Sequence, residues 1–171
     1  MMGTVYSEIT LKNAVDVGKA REGLIPEKQI RAVTVDALVD TGAGTLVIDE
    51  ETCQKLGLRV EGLRRATLAP GKARESVSLQ NKLQRKSPNK CDGIGQTASG
   101  LADGASATYQ VTEPVKIYWK NRDTVCQPIV IPGADNILLG AIPLEDMDLI
   151  VDPQRRQLIG AHGDEVVCLI K

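Results

Sequence analysis

Apolar and polar residues alternate along most of the chain in short runs of period two, broken by glycine, proline and asparagine. Thr4–Asn13 (TVYSEITLKN) alternates well enough for a strand, whereas the polar Val17–Gln29, with Gly18, Gly23 and Pro26, reads as a loop. Ile30–Asp40 (IRAVTVDALVD) puts Val33, Val35, Ala37 and Val39 on one face and Thr34, Asp36, Leu38 and Asp40 on the other. Thr45–Ile48 is a further short strand. Asp49 then caps a helix through Leu56, with Glu50 and Glu51 in its first turn and Gly57 as its stop.

The second half continues in the same way. PVKIYWK and TVCQPIVIP read as strands joined at Asn121–Asp123, NILLG is a brief buried run, and AIPLEDM opens a helix with a proline in its first turn. Asp148–Ala161 reads as a hairpin turned by Asp152-Pro153, and EVVCLI as a last strand. One stretch breaks the pattern. Pro70–Gly100 has little periodicity and carries Lys72, Arg74, Lys82, Arg85, Lys86 and Lys90 against Glu75 and Asp92, a net +4 that leaves −5 for the remainder. It lies between the similar fragments LAPG and LADG and reads as a loop insertion at about 70–100 in a single domain spanning 1–171. A basic tail for RNA is the alternative, weakened by the lack of aromatics to stack bases.

Composition narrows the picture. The chain has 171 residues, 42% of them hydrophobic but only 2% aromatic with no Phe, so its core must be built from Val, Ile, Leu and Ala. Its net charge of −1 draws it neither to nucleic acid nor to an acidic surface. No apolar run approaches the roughly 18–20 residues of a membrane span, and the N-terminus lacks the basic start and apolar stretch of a signal peptide. A cytoplasmic protein is expected, with no membrane partner. Cys53, Cys91, Cys126 and Cys168 are scattered without a C-x-x-C pair, and His162 is the single histidine. They read as packing cysteines, with no metal site, no cofactor and little scope for a serine or cysteine triad.

The candidate chemistry lies at Asp40. Two glycine patterns first invite a nucleotide: Gly42-x-Gly44-x-x-Val47 lacks its third glycine and precedes a strand, and Gly93-x-Gly95-x-x-Ala98 has no strand before it. An acid ending the apolar run Ala37-Leu38-Val39 is costly to desolvate, and folding alone would favour Asn or Ser there. With a second carboxylate nearby, the two could share one proton, one acting as base toward water and the other as acid toward a carbonyl. Gly42 allows close backbone approach, and the Thr41 hydroxyl can bond across the turn. The competing reading is an Asp that merely starts a turn.

ALVDTGAGTLVIDEETCQKLGL and NILLGAIPLEDMDLIVDPQRRQLIG together resemble the retropepsin-like aspartic proteases, particularly their single-domain bacterial members. The likeness covers Ile30–Ala69 and Leu101–Ile159. It implies a mainly β fold, a closed acid-protease β barrel with one or two short helices, and an aspartic endopeptidase that needs no cofactor. It implies Asp40 as the catalytic acid, Thr41, Gly42 and Ala43 as the active-site turn, and Leu138, Leu139 and Gly140 packed beneath that turn as support. The chain holds one Asp-Thr-Gly, since Asp148 and Asp152 lack it, so the resemblance implies a homodimer with one Asp40 from each subunit, acting on a peptide or protein. The terminal strands VYSEITL and EVVCLI could serve the dimer or pair within one chain. Such enzymes cover the substrate with a hairpin flap, for which Asp103-Gly104 offers a turn. A non-catalytic dimeric or peptide-binding module keeping the fold is the alternative function.

Overall fold

A computed structural model describes residues 4–67 and 106–165. Strand β1 (Tyr6–Asn13) leads directly into helix α1 (Ala14–Arg21), followed by a 3-10 turn at Glu27–Gln29 and strand β2 (Ala32–Val39). Then come β3 (Val47–Ile48), α2 (Glu50–Leu56) and β4 (Val60–Thr67). The second half contains β5 (Ser106–Thr112), β6 (Val115–Trp119), β7 (Arg122–Cys126), β8 (Ile129–Val130), β9 (Ile137–Leu139), α3 (Ala141–Asp146), β10 (Leu149–Asp152) and β11 (Gln157–Gly160).

Among the described residues, nine strands form one sheet in the order β4-β5-β8-β3-β9-β2-β1-β6-β7, and β10–β11 form a separate hairpin. Two pairings are parallel, β2 with β9 and β3 with β8; the rest are antiparallel. Among the described residues the sheet curls strongly into a half-barrel but does not close, which corrects the expected closed barrel. Closure needs the outer strands to pair with each other. Here the hairpin-like pairs β4–β5 and β6–β7 end the sheet on either side, and among the described residues β4 and β7 each have one neighbour.

One contiguous core joins the sheet to the helices. Alternation along β1 buries Ile9 and Leu11, β6 contributes Val115, Ile117 and Trp119, and Ala37 and Leu139 meet them from the centre of the sheet. Ile48 adds to it from β3, and Leu46, Leu56, Leu144 and Met147 fill it from the turns and helices. This aliphatic packing around one tryptophan matches the composition, and the Trp119 Nε1 donates to Ser7 Oγ (2.8 Å). Among the described residues no buried side-chain nitrogen or oxygen lacks a hydrogen-bond partner.

Helix α2 follows its sequence signals: Asp49 accepts from the Thr52 amide (2.9 Å), and Gly57 ends the helix in the left-handed region (φ 58°). Helix α1 corrects the loop expected from Val17 onward. Its nucleus is Asn13, whose Oδ1 accepts from the Val15 and Asp16 amides while its Nδ2 donates to Leu56 O (3.0 Å). Gly18 is exposed, and only beyond Arg21 does the chain loosen as expected. The structure thus has three α-helices among the described residues, not one or two.

Two strand boundaries also shift. The β6–β7 turn is Lys120-Asn121, with Lys120 at φ 48°, so Arg122 already belongs to β7. The run TVCQPIVIP is two strands: Pro128 interrupts it, and β8 pairs with β3 and β5 instead of continuing beside β6. Strand β1 pairs within the chain, with β2 over Tyr6–Lys12 and with β6 over Thr10–Asn13. EVVCLI lies outside the described residues beyond Glu165, as do the insertion at 70–100 and the flap residues Asp103 and Gly104. Among the described residues no helix is long and apolar enough to cross a membrane.

Candidate active site

Strand β2 delivers Asp40 to the surface through its parallel pairing with β9, in which Ala37, Leu38 and Val39 stand opposite Ile137, Leu138 and Leu139. The Asp40 amide donates to Leu139 O (3.1 Å), so the acid is fixed to the strand that ends 99 residues later in the chain, at Leu139. The turn then closes on its own carboxylate. Asp40 Oδ1 accepts from the Gly42 amide (2.9 Å), and Asp40 O from the Ala43 amide (3.0 Å). Asp40 and Ala43 are half-buried, while Thr41, Gly42 and Gly44 are exposed. One carboxylate oxygen is thus oriented by a backbone amide at an accessible surface. The Thr41 hydroxyl, expected to bond across the turn, makes no hydrogen bond among the described residues.

The β9–α3 junction holds the outer half of the turn. The Ala141 amide donates to Ala43 O (2.8 Å) and the Ile142 amide to Gly44 O (3.1 Å). Gly140 precedes both, and a Cβ there would overlap the carbonyl oxygens of Thr45 and Ala43. Leu139, whose carbonyl accepts from the Asp40 amide, is fully buried, whereas Leu138 faces outward. Leu138, Leu139 and Gly140 are therefore brought together with Asp40, Gly42 and Ala43.

Sequence reasoning missed three contributors. Tyr6 stands opposite Leu38, and Leu38 opposite Leu138, so the three form an apolar row across adjacent strands on the outward face next to Asp40. Tyr6 OH donates to Asn136 Oδ1 (3.2 Å). The alternation Tyr6, Glu8, Thr10 could have put Tyr6 on the outer face, but only the register of β1 on β2 puts it beside Leu38. Thr45 is the third: its hydroxyl donates to Gln127 O (3.4 Å).

The other candidate groups serve the fold. Burial pushes the Cys126 thiol up, against hydrogen bonds from the Leu46 amide and the Thr45 side chain, and burial with nearby Glu50 and Asp49 does the same at Cys53. Neither thiol is an activated nucleophile. Cys91 and Cys168 lie outside the described residues. His162 Nδ1 meets the Asp148 carboxylate (2.9 Å), and Asp152 Oδ1 accepts from the Gln154 and Arg155 amides as the hairpin turn. After Gly42 and Gly44 the chain enters a strand, so a helix does not follow the glycines as a dinucleotide site requires.

A family model for aspartyl proteases matches residues 28–94, a span that includes β2, the Asp40–Gly44 turn, α2 and β4. No curated protein matches the chain.

Proposed function

We propose that the chain is one subunit of a homodimeric aspartic endopeptidase in which the Asp40 carboxylates of two copies meet at the two-fold axis. The observation that carries this reading is Asp40 itself: an acid at the accessible end of an apolar strand, oriented by the Gly42 amide and braced through Leu139 and Ala141. The aspartyl protease match over the same turn supports it. So does the single Asp-Thr-Gly per chain, because the chemistry needs a second carboxylate.

Two like carboxylates in contact cannot both ionise, so the pair holds one proton. The ionised one draws a proton from a water as that water attacks the peptide carbonyl. The protonated one gives its proton to the carbonyl oxygen, forming a neutral tetrahedral diol. Collapse returns a proton to the amine and releases it, with no covalent enzyme intermediate. Thr41 and Gly42 shape the turn, Ala43 lies beside the substrate backbone, and the Tyr6–Leu38–Leu138 row offers an apolar wall to a neighbouring side chain.

The test is Asp40→Asn in the full chain, followed by sedimentation and by cleavage of a peptide library. The variant should sediment with the wild type and lose about 10³-fold or more in kcat/KM. A variant that cleaves as fast as wild type defeats the mechanism, and a strict monomer that cleaves defeats the shared pair. A wild-type dimer that turns over no peptide at any pH would instead favour the non-catalytic peptide-binding module.

A further inference from the structure

Helix α3 spans six residues, Ala141–Asp146, and its N-cap Gly140 offers no side chain to cap it. A helix this short has little stability of its own, so its position is set from outside. At its start, two amides hold the carbonyls of Ala43 and Gly44 in the Asp40 turn. At its other end, the controlling group is Arg122, far from Asp40 in the sequence and with a side chain only 1% exposed.

The Arg122 guanidinium donates through one nitrogen to Met147 O (2.8 Å) and Asp148 O (3.1 Å), the two carbonyls that leave α3. Through the other it donates to Gly163 O (2.6 Å) and Glu165 O (2.7 Å) in the segment after β11. The Asp148 carboxylate offsets its charge (3.3 Å) and also meets His162 Nδ1. Thr124, the next inward-facing residue of β7, bonds the Asp146 carboxylate at the last turn of α3. A buried planar fork with this many acceptors cannot shift without leaving carbonyls unsatisfied.

We propose that Arg122 is a positioning residue for the Asp40 turn, acting through α3, and that the Ala161–Glu165 segment is thereby part of the support of the site. The kinetic consequence rests on the peptidase reading; the structural coupling does not. A shift of the guanidinium moves the end of α3, and a helix about 9 Å long passes that shift to Ala141 and Ile142. The Tyr6–Leu38–Leu138 row sits on β1, β2 and β9, so substrate binding should be spared while the chemical step suffers.

Two variants perturb the anchor differently. Arg122→Lys keeps the charge but loses the fork, and Gly160→Ala keeps the arginine but sets a methyl against its guanidinium and Gly163 O. Asp123→Ala is the control, removing an ion pair with Lys116 (2.8 Å) on the same hairpin without touching α3 or the Ala161–Glu165 segment. Amide hydrogen exchange is read at Ala141 and Ile142, and for reference at Asn13 and Ile131, whose amides bond Arg31 O and Ile48 O elsewhere in the sheet. In both anchor variants, exchange at 141 and 142 should accelerate at least about tenfold more than at the reference sites. Their kcat should fall about tenfold with KM within about twofold, and Asp123→Ala should change neither. Equal loss of protection at all four amides, or none at Ala141 and Ile142, overturns the proposal, and whichever anchor variant folds decides it. Coupling without any wild-type turnover would leave Arg122 in this role and remove the peptidase reading alone.

Discussion

A methyl group at position 140 has no room, because carbonyl oxygens of Ala43 and Thr45 already occupy the space a Cβ would take. These are backbone atoms of the Asp40 turn, so they cannot yield as a flexible side chain would. Gly140→Ala should therefore push the turn outward and separate Ala43 O from the Ala141 amide. Stability should fall by about 1–3 kcal/mol, as in other overpacked sites. On the peptidase reading, a displacement near 1 Å at the acid should cost about 10²-fold in kcat/KM. Gly44→Ala is the comparison, since a Cβ there meets nothing within 4 Å. Its unfolding free energy should stay within about 0.5 kcal/mol of wild type. Urea unfolding of both variants checks this, and equal stabilities would mean the turn is looser than its contacts imply. The Asp40–Gly44 turn was legible in the sequence because an acid, two glycines and an apolar approach are all local. The place of Tyr6 was not, because it comes beside Leu38 only through the register of β1 on β2.

At the scale of elements, legibility followed how concentrated the signals were. Helix α2 displays its cap, its acidic first turn and its left-handed glycine within nine residues, Asp49–Gly57, and forms between them. Helix α1 has a side-chain cap in Asn13, but Gly18 and Gly23 mask it, and a further contact comes from far along the chain. Asp16 in its first turn is bonded by the Arg31 guanidinium through Nε (2.7 Å) and a terminal nitrogen (2.9 Å). The difference between the caps can be measured. Asp49→Ala removes a half-buried cap and should cost about 1 kcal/mol. Asn13→Ala empties a fully buried site and leaves Leu56 O and two α1 amides without their partner, so it should cost about 2–4 kcal/mol. Urea midpoints at constant slope would verify the order, and a reversed order would show that α1 contributes little to the fold. The β7–β8 division was similarly hidden: Pro128 signals a break, but not that the chain then crosses to another part of the sheet.

The molecule as a whole is organised by pairings that no local pattern contains. Alternation marked β1 and β2 as strands and divided the two faces of β2, yet the parallel contact of β2 with β9, which brings residue 40 to residue 140, is a property of strand order. Whether the sheet closes depends on its outermost strands, and these are set by where the β4–β5 and β6–β7 pairs fall. The same strand order gathers two arginine–carboxylate pairs at one end. Arg31 holds Asp16 and also donates to Gly57 O, while Arg59 holds Glu113 through its amide, its Nε and a terminal nitrogen. Together they join α1, the start of β2, the end of α2, the start of β4 and the end of β5. The Arg31 hydrogen bonds hold the Asp16 carboxyl below its usual range despite burial. At Glu113, burial pushes upward but is outweighed by the hydrogen bonds and charge of Arg59, so its carboxyl also lies low. Both groups are more acidic folded than unfolded, so their stabilisation is complete above the unfolded carboxylate pKa, about 4, and is lost as pH falls through the folded values. Unfolding free energy should therefore decline steeply below about pH 4, and Asp16→Asn should be less stable at neutral pH but show a flatter decline. Urea titrations of both proteins from about pH 7 to about pH 3 give the slopes. Parallel curves would mean that Asp16 keeps its proton affinity on folding, and that acid unfolding begins at some other carboxylate.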